Sequence, residues 1–262
     1  MQKRHKNRRM YYDELANTSK KYFIDYVESS LHLSPETNVL EIGCGEGGNL
    51  VPFAEHGCHV TGIDIDGVKI ENARSFFLED DLVGYFIHSD FLKIPVPRKD
   101  EDKFDLILIH DVIEHIEKPY KHDFIEHLKL FMKPTTIVFF RFPAWQMPFG
   151  GHQQICKGKI SKIPFIHLLP EKIYHRILVK ANEPSSTIEE LHSIRRSKMP
   201  IEGFEKIICQ AGMKVAKKTF WVINPHYEQK FKLKPLKEFW PFSAIPYFRN
   251  FYTTSAWYLV KQ

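Results

Sequence analysis

The chain has 262 residues, a formal net charge of +5 and 43% hydrophobic residues, which suffices for one large domain with elaborations. Its four cysteines are widely spaced and include no C-x-x-C pair, so the sequence indicates neither a zinc site nor a disulfide framework. No apolar run is long enough to span a bilayer, and no apolar stretch follows the basic start. A cytoplasmic protein without a signal peptide is therefore expected.

Residues 1–34 are predicted to form an N-terminal tail and a covering helix. Five of the first ten residues are lysine or arginine, and a solvated start is favoured over a contact with nucleic acid or an anionic surface. Apolar residues recur at helical spacing between Asn17 and Leu31. This pattern predicts a helix that packs on the sheet or covers a cofactor.

The segment Val39–Leu50 reads Val-Leu-Glu-Ile-Gly-Cys-Gly-Glu-Gly-Gly-Asn-Leu, which predicts a buried strand, a tight turn and the start of a helix. Gly43, Gly45 and Gly47 let the backbone bend sharply and let a ligand approach it closely. Gly43, Gly45 and Gly48 fit the dinucleotide fingerprint G-x-G-x-x-G, which predicts a nicotinamide or flavin cofactor. Glu41 with Gly43, Gly45 and Gly47 also fits the pattern E-x-G-x-G-x-G, which resembles motif I of the class I S-adenosylmethionine (AdoMet) methyltransferases.

Acidic residues follow the next two predicted strands. Asp64 lies at the end of the strand His59–Ile65, where its two oxygens can accept hydrogen bonds from the hydroxyls of a ribose in either kind of cofactor. Asp90 and Phe91 follow the strand Tyr85–His88. An acid beside an apolar residue suits an adenine ring, and this feature favours AdoMet over a dinucleotide.

A fourth predicted strand, Lys103–Ile109, is followed by the letters His-Asp-Val-Ile-Glu-His-Ile. Here the chain resembles the class I AdoMet methyltransferases through several motifs in the same order, and the ending V-I-E-H-I is similar to the branch that contains quinone and small-molecule O-methyltransferases. The resemblance rests on four segments: Val39–Gly47, Gly62–Asp66, Ser89–Leu92 and Phe104–Ile116.

The resemblance implies a set of cofactor-binding residues. The methionine end would be held by Glu41 and the turn residues Gly43, Cys44, Gly45 and Gly47, the ribose by Asp64 with Ile65, the adenine by Asp90 and Phe91, and the amino group by the carbonyl of His110.

The methyl acceptor is expected beyond the fifth strand, Thr135–Phe142, because ligands bind at the carboxyl ends of the strands in open α/β sheets. Arg141, Trp145 and Arg195 are the candidate acceptor-binding residues, and an arginine there would meet a phosphate or carboxylate.

Two histidines are candidates for the general base. His115 and His152 are named because a histidine ordinarily titrates near the working pH, and the sequence does not decide between them or against structural roles. No metal is predicted, although Asp111 together with both histidines would supply suitable ligands.

The predicted fold is α/β: a seven-stranded, Rossmann-like, mostly parallel sheet with an antiparallel last strand, helices on both faces, and a helical cap inserted after strand five. The core would comprise residues 35–145, the substrate cap 146–200, and the remaining core 201–262 with a long connection between strands six and seven. That connection, 224–250, is rich in aromatic residues and lysine. Packing on the protein is favoured there over a peripheral membrane contact.

The favoured function is an AdoMet-dependent methyltransferase that O-methylates a small molecule, such as a glycan precursor or a quinone-like ring. An NAD(P)-dependent oxidoreductase is the alternative, disfavoured by the Asp90 segment and the lack of a Tyr-x-x-x-Lys dyad after strand five. A methyltransferase-fold binding module without turnover is a third. A nucleic-acid methyltransferase is less expected, because no Asn-Pro-Pro-Tyr-like motif ends strand four.

Overall fold

The computed structural model describes residues 7–262, and within them the strands form one eight-stranded sheet. The strands are β1 (Asn38–Ile42), β2 (His59–Asp64), β3 (Tyr85–His88), β4 (Phe104–His110), β5 (Met132–Phe142), β6 (Lys214–Ile223), β7 (Leu236–Lys237) and β8 (Ser255–Lys261).

Helices precede, connect and follow these strands. They are α1 (Arg8–Thr18), α2 (Ile24–Glu28), α3 (Val51–Glu55), α4 (Gly67–Glu79), α5 (Lys121–Lys129), α6 (Glu171–Lys180), α7 (Ser185–Ser197), α8 (Ile201–Gln210) and α9 (His226–Phe231). None of the helices in this part of the chain combines the length and the apolar character needed to cross a membrane.

The strand order is β3-β2-β1-β4-β5-β8-β6-β7. The first five strands pair in parallel, while β8 runs antiparallel to both β5 and β6. This confirms the predicted mostly parallel sheet with an antiparallel last strand. The predicted number of seven strands is one too low, because two residues of the long connection form β7 at the edge beside β6.

The central strands β1 and β4 are buried on both faces, as strands of a doubly covered parallel sheet must be. Along β4, Ile107 and Ile109 join one apolar cluster with α5 and α8. Leu106 and Leu108, which point the other way, join a second cluster with α1, α2, α3 and α4. Helices therefore cover both faces, as predicted from the sequence.

The N-terminal helix begins earlier than the apolar pattern indicates. α1 starts at Arg8 rather than at Asn17, and a short π-helical turn joins it to α2. Asn7 caps it by accepting a hydrogen bond from the Met10 N–H (3.0 Å). The prediction of a solvated basic start falls largely on residues 1–6, which lie outside the described residues, whereas residues 8–10 are helical.

Residues 146–200 contain α6 and α7 between β5 and α8. Five buried side chains of this range form a small apolar cluster of their own, separate from the two clusters that pack on the sheet. The members of that cluster are Cys156, Ile166, Tyr174, Leu178 and Leu191.

Candidate active site

Two adjoining cavities open at the carboxyl ends of the parallel strands. The larger has a volume of ≈ 570 Å³ and the smaller ≈ 220 Å³. Gly43, Asp64, Lys69 and Asp111 line both of them. Ligands of open α/β sheets bind at this edge, so the two cavities form the candidate site.

The glycine turn after β1 forms part of the cavity wall. Gly43, Gly45 and Gly47 have φ angles of 75°, 54° and 81°, which residues with a side chain rarely adopt. The N–H groups of Gly43 and Cys44 donate to the carbonyl of Ile63 (2.7 and 3.0 Å), which ties the turn to β2. Gly43, Cys44 and Gly45 line the smaller cavity, whereas Gly47 lines neither.

Asp64, the last residue of β2, holds two turns together. Its Oδ2 accepts from the Gly45 N–H (2.8 Å) and its Oδ1 accepts from the Asp66 N–H (2.8 Å). The side chain is almost buried but lines both cavities. Because each carboxylate oxygen has two acceptor sites, Asp64 can fix the turns and still bind hydroxyl groups.

The larger cavity has apolar walls beside a carboxylate at the end of β3. Ile65 lines it with a side chain that is 74% exposed, and Phe91 lies buried against Phe124, with 5.6 Å between the ring centres. Asp90 Oδ1 accepts from the Leu92 N–H (3.1 Å). Among residues 7–262, no donor bonds to its other oxygen, which is therefore available to a ligand.

The smaller cavity is lined by charged residues of both signs. Arg8 Nη1 lies 3.1 Å from Glu46 Oε1, and Arg141 Nη2 lies 3.1 Å from Asp111 Oδ2. Burial raises the pKa of Glu46, while Arg8 opposes that shift. Two arginine–carboxylate pairs in one cavity suit a ligand that carries a positive and a negative group.

Glu41 and His110 form a buried pair behind the smaller cavity. Glu41 Oε1 accepts from Asn49 Nδ2 (2.7 Å) and lies 3.4 Å from His110 Nδ1. Burial raises the pKa of Glu41 to about 8 and lowers the pKa of His110 well below its ordinary value. Both side chains are therefore neutral near pH 7, when Glu41 is a carboxylic acid.

His115 lines the larger cavity. The ring of His152 packs edge-on against the ring of His115, with 5.0 Å between the ring centres. The structure thus brings together the two histidines that the sequence singled out. Burial lowers the pKa of His115, and burial together with His115 and His167 lowers the pKa of His152 to about 3. Both imidazoles are neutral at pH 7 and available as proton acceptors.

Glu114 lies beside these histidines, and its buried carboxyl oxygens accept no hydrogen bond from the residues that the structure describes. Burial raises its pKa well above the ordinary value. One ligand atom each from Glu114, His115 and His152 lies within 4.8 Å of the others, so this trio, rather than one with Asp111, is the arrangement that could hold a cation. The absence of a metal stays a prediction.

Comparison with known proteins agrees with this geometry. Residues 39–135 match a family described as a methyltransferase domain. The matched range contains the glycine turn, Asp64, Asp90 and His115 of the candidate site. The ubiquinone biosynthesis O-methyltransferase of Pasteurella multocida (strain Pm70) is 26% identical over 151 residues, covering 51% of this chain and 60% of its own.

Solved structures of methyltransferases share the fold of this chain. An S-adenosylmethionine-dependent methyltransferase from Clostridium acetobutylicum ATCC 824 superposes with a TM-score of 0.58 and 13% identity, covering 94% of this chain and 91% of its own. The magnesium protoporphyrin IX methyltransferase of Synechocystis PCC 6803, with bound SAH, gives 0.56 and 15% identity, covering 97% and 92%. The chain spans about three fifths of the length of the curated relatives it matches.

Sequence reasoning missed three charged residues that line the smaller cavity, namely Arg8, Glu46 and Lys69. Arg8 was counted with the solvated basic start, yet it faces Glu46 of the glycine turn. Nothing local in the sequence signals this pair, because α1 reaches the turn only through tertiary packing. Tyr11 of the same helix also lines the cavity, as a covering helix would require.

Several predicted site residues lie elsewhere than expected. Glu41 lines neither cavity but contacts Asn49 and His110, which both line the smaller one. Arg141 lines the smaller cavity at the glycine turn, away from the expected acceptor side.

Trp145 and Arg195 also line neither cavity. Trp145 packs edge-on against His167, with 4.7 Å between the ring centres, and the Arg195 guanidinium donates to the carbonyl of His167. Trp145 thus joins the end of the range 35–145 to residues 146–200, whereas Arg195 holds two parts of residues 146–200 together.

Replacing Asp90 with asparagine is expected to weaken AdoMet binding. Asn keeps an oxygen that accepts from the Leu92 N–H, but its amide NH2 group replaces the oxygen that would accept from the adenine amine. Two donors would then face each other. Hydrogen bonds to charged groups contribute about 1.5–3 kcal/mol. Calorimetry should therefore show an affinity that is about 10- to 100-fold weaker.

Asp66→Asn is the matched control. Asp66 also caps a helix, by accepting from the Val68 and Lys69 N–H groups, but it lines neither cavity. The control should bind AdoMet like the wild type. Equal affinities in all three proteins would remove Asp90 from the adenine site.

Proposed function

We propose that the protein binds AdoMet across both cavities and transfers its methyl group to a hydroxyl oxygen of a small molecule. The observation that carries this proposal is the difference between the two connected cavities. The larger one has an apolar end where Asp90 lies beside Ile65 and Phe91, and the smaller one is lined by two arginine–carboxylate pairs. An adenosine suits the first, and an amino-acid zwitterion suits the second.

The same charges argue against the dinucleotide alternative. A pyrophosphate would need an excess of positive charge and free N–H groups at the glycine turn. Glu46 and Asp111 instead place two carboxyl groups there, and the N–H groups of Gly43, Cys44 and Gly45 already donate to Ile63 and Asp64.

The residues of this chain have two tasks in the proposed reaction. When bound, AdoMet supplies a methyl group that is already activated by its positively charged sulfur. The cavities hold the reactants in line, and orientation of this kind can supply about 7–11 kcal/mol of a barrier. His115, a neutral imidazole in the larger cavity, accepts the proton of the acceptor hydroxyl, and His152 beside it orients the ring.

The proposed acceptor is a quinone-like phenol. The support is the name of the curated relatives, which are ubiquinone biosynthesis O-methyltransferases, together with the neutral histidine pair, which suits a hydroxyl acceptor. Residues 146–200 are proposed to cap the acceptor, since the turn that carries His152 begins this segment. A glycan precursor is the second candidate, and no nucleic acid is proposed as a partner.

The test is incubation of the protein and AdoMet with a catechol, a hydroxyquinone and a sugar, followed by mass spectrometry. The proposal expects a mass gain of one methyl group on the phenolic compounds. Methylation of the sugar alone would overturn the acceptor class. AdoMet binding without a product from any acceptor would favour a binding module instead.

A further inference from the structure

A basic, apolar loop stands out on the surface after β5. The stretch from residue 143 to 170 contains no aspartate or glutamate, while Lys157, Lys159 and Lys162 are all exposed. Between and after the lysines, Ile160 is 61%, Ile163 50% and Phe165 41% exposed. Large apolar side chains are thus exposed to solvent in a segment whose acidic and basic residues are all basic.

The loop is held in a defined shape. The nearly buried Glu183 accepts hydrogen bonds from the N–H groups of Lys157 (2.8 Å) and Gly158 (2.7 Å) and from the hydroxyl of Ser161. The exposure of Ile160 and Ile163 is therefore built into the fold.

Phe165 is held outward by an uncommon backbone conformation. Its φ is +66°, a value that bulky residues rarely adopt, and its N–H donates to the carbonyl of Pro148 (2.8 Å). Outliers of this kind persist where the surrounding structure imposes them, and they recur at functional sites.

A second segment extends the apolar surface. Phe251 lies against Phe165, with 6.5 Å between ring centres, and Phe248 lies 6.4 Å from Phe251. Phe248 is 50% and Phe251 41% exposed. The aromatic patch, defined here as Phe165, Phe248 and Phe251, thus joins the basic loop to the connection before β8.

We propose that the aromatic patch and the basic loop dock the protein on an anionic lipid bilayer. Phenylalanine and isoleucine side chains enter the headgroup region, and interleaved lysines place their charges among the lipid phosphates while their stems cover apolar surface. The lack of acidic residues in the loop is the charge complementarity that favours this partner, because a single-sign loop meets a uniformly anionic surface. The protein's net charge of +5 has the same sign.

The docking surface is tied to the proposed acceptor side of the site. Gln153, next to His152, donates through Nε2 to the carbonyls of Pro148 (2.8 Å) and Ile163 (3.3 Å). A bilayer under the loop would therefore lie near the turn that carries His152. Docking itself does not depend on methyl transfer.

The test is sedimentation of the full chain with vesicles of phosphatidylcholine alone or mixed with phosphatidylglycerol. We expect binding to the mixed vesicles, little binding to phosphatidylcholine, and weakening with added salt. Lysines near an anionic surface each contribute about fivefold, so the triple variant Lys157→Gln, Lys159→Gln, Lys162→Gln should bind on the order of 100-fold more weakly. Phe165→Ser should cost about tenfold.

A matched control removes the same charge elsewhere. Lys206→Gln, Lys214→Gln, Lys261→Gln replaces three exposed lysines outside the loop and should keep most of the binding. Thermal unfolding and AdoMet calorimetry on each variant establish that the fold and the cofactor site are intact. The proposal would be overturned if the wild type did not bind the mixed vesicles or if the loop variant bound them undiminished. Equal losses in both triple variants would also overturn it. The first of these results is the one expected if the patch instead binds another protein.

Discussion

Gly43→Ala is expected to abolish detectable AdoMet binding and to lower the free energy of unfolding. Gly43 has a φ of +75°, and a Cβ built there would clash with Cγ2 of Val112. The left-handed conformation costs about 1–2 kcal/mol for a residue with a side chain, and overpacking costs about 1–3 kcal/mol. Movement of Val112 would also shift the neighbouring Asp111, which lines both cavities. Denaturant unfolding and calorimetry measure the two effects.

Gly212→Ala separates backbone strain from the effect on the site. Gly212 has a similar φ of +72°, but nothing lies within 4 Å of a Cβ built there, and it lines neither cavity. This variant should lose only the conformational share of stability and should bind AdoMet normally. Normal AdoMet affinity in Gly43→Ala as well would show that the glycine turn does not form the cofactor site.

His115→Ala is expected to lower kcat for a hydroxyl acceptor by about two to four powers of ten, the range that general bases contribute. Its KM for AdoMet should change little, because the histidine acts on the acceptor proton. His122→Ala is the control, since His122 is exposed at the start of α5 and lines neither cavity. A loss below about tenfold in His115→Ala would move the base to another residue.

The pH dependence distinguishes the two histidines. A base works when deprotonated, so activity falls as the pH drops through its pKa in the free enzyme. Because burial lowers the pKa of His115, kcat/KM should stay level from pH 8 down to about 6.5, the ordinary histidine value, and fall below it. If His152 is the base, the fall would come near pH 3, since its pKa is about 3. A fall centred above the ordinary value would contradict both assignments.

The site residues at the carboxyl ends of the strands were predictable, because the end of each strand and the chemistry of the side chain that follows are both local features of the sequence. Parallel strands bring their carboxyl ends to one edge, so Gly43, Asp64, Asp90 and His115 had to lie near one another. The structure places all four on the two cavities.

The contacts of the first helix could not be predicted in this way. Arg8 meets Glu46, and both Arg9 and Tyr12 bond to Asp80 across about 70 residues of chain. Tertiary contacts of this kind determine where a helix begins when helix propensity is weak. The hydrophobic periodicity of the sequence does not indicate them.

Residues after β5 show a second limit of sequence reasoning. An arginine or tryptophan beyond a strand end is equally suited to bind a ligand or to pack. Trp145 and Arg195 both contact His167. These contacts form only when residues 146–200 fold, so the sequence alone does not show whether such a residue packs or binds a ligand. The two-residue strand β7 is likewise too short to carry an alternating pattern.

Titration calorimetry of the purified protein with AdoMet, repeated with NAD, tests most directly whether the paired cavities hold a nucleoside joined to an amino acid. The structure predicts saturable heat with AdoMet, no heat with NAD, and an unchanged AdoMet isotherm when NAD is present. Saturable binding of NAD with no response to AdoMet would contradict it.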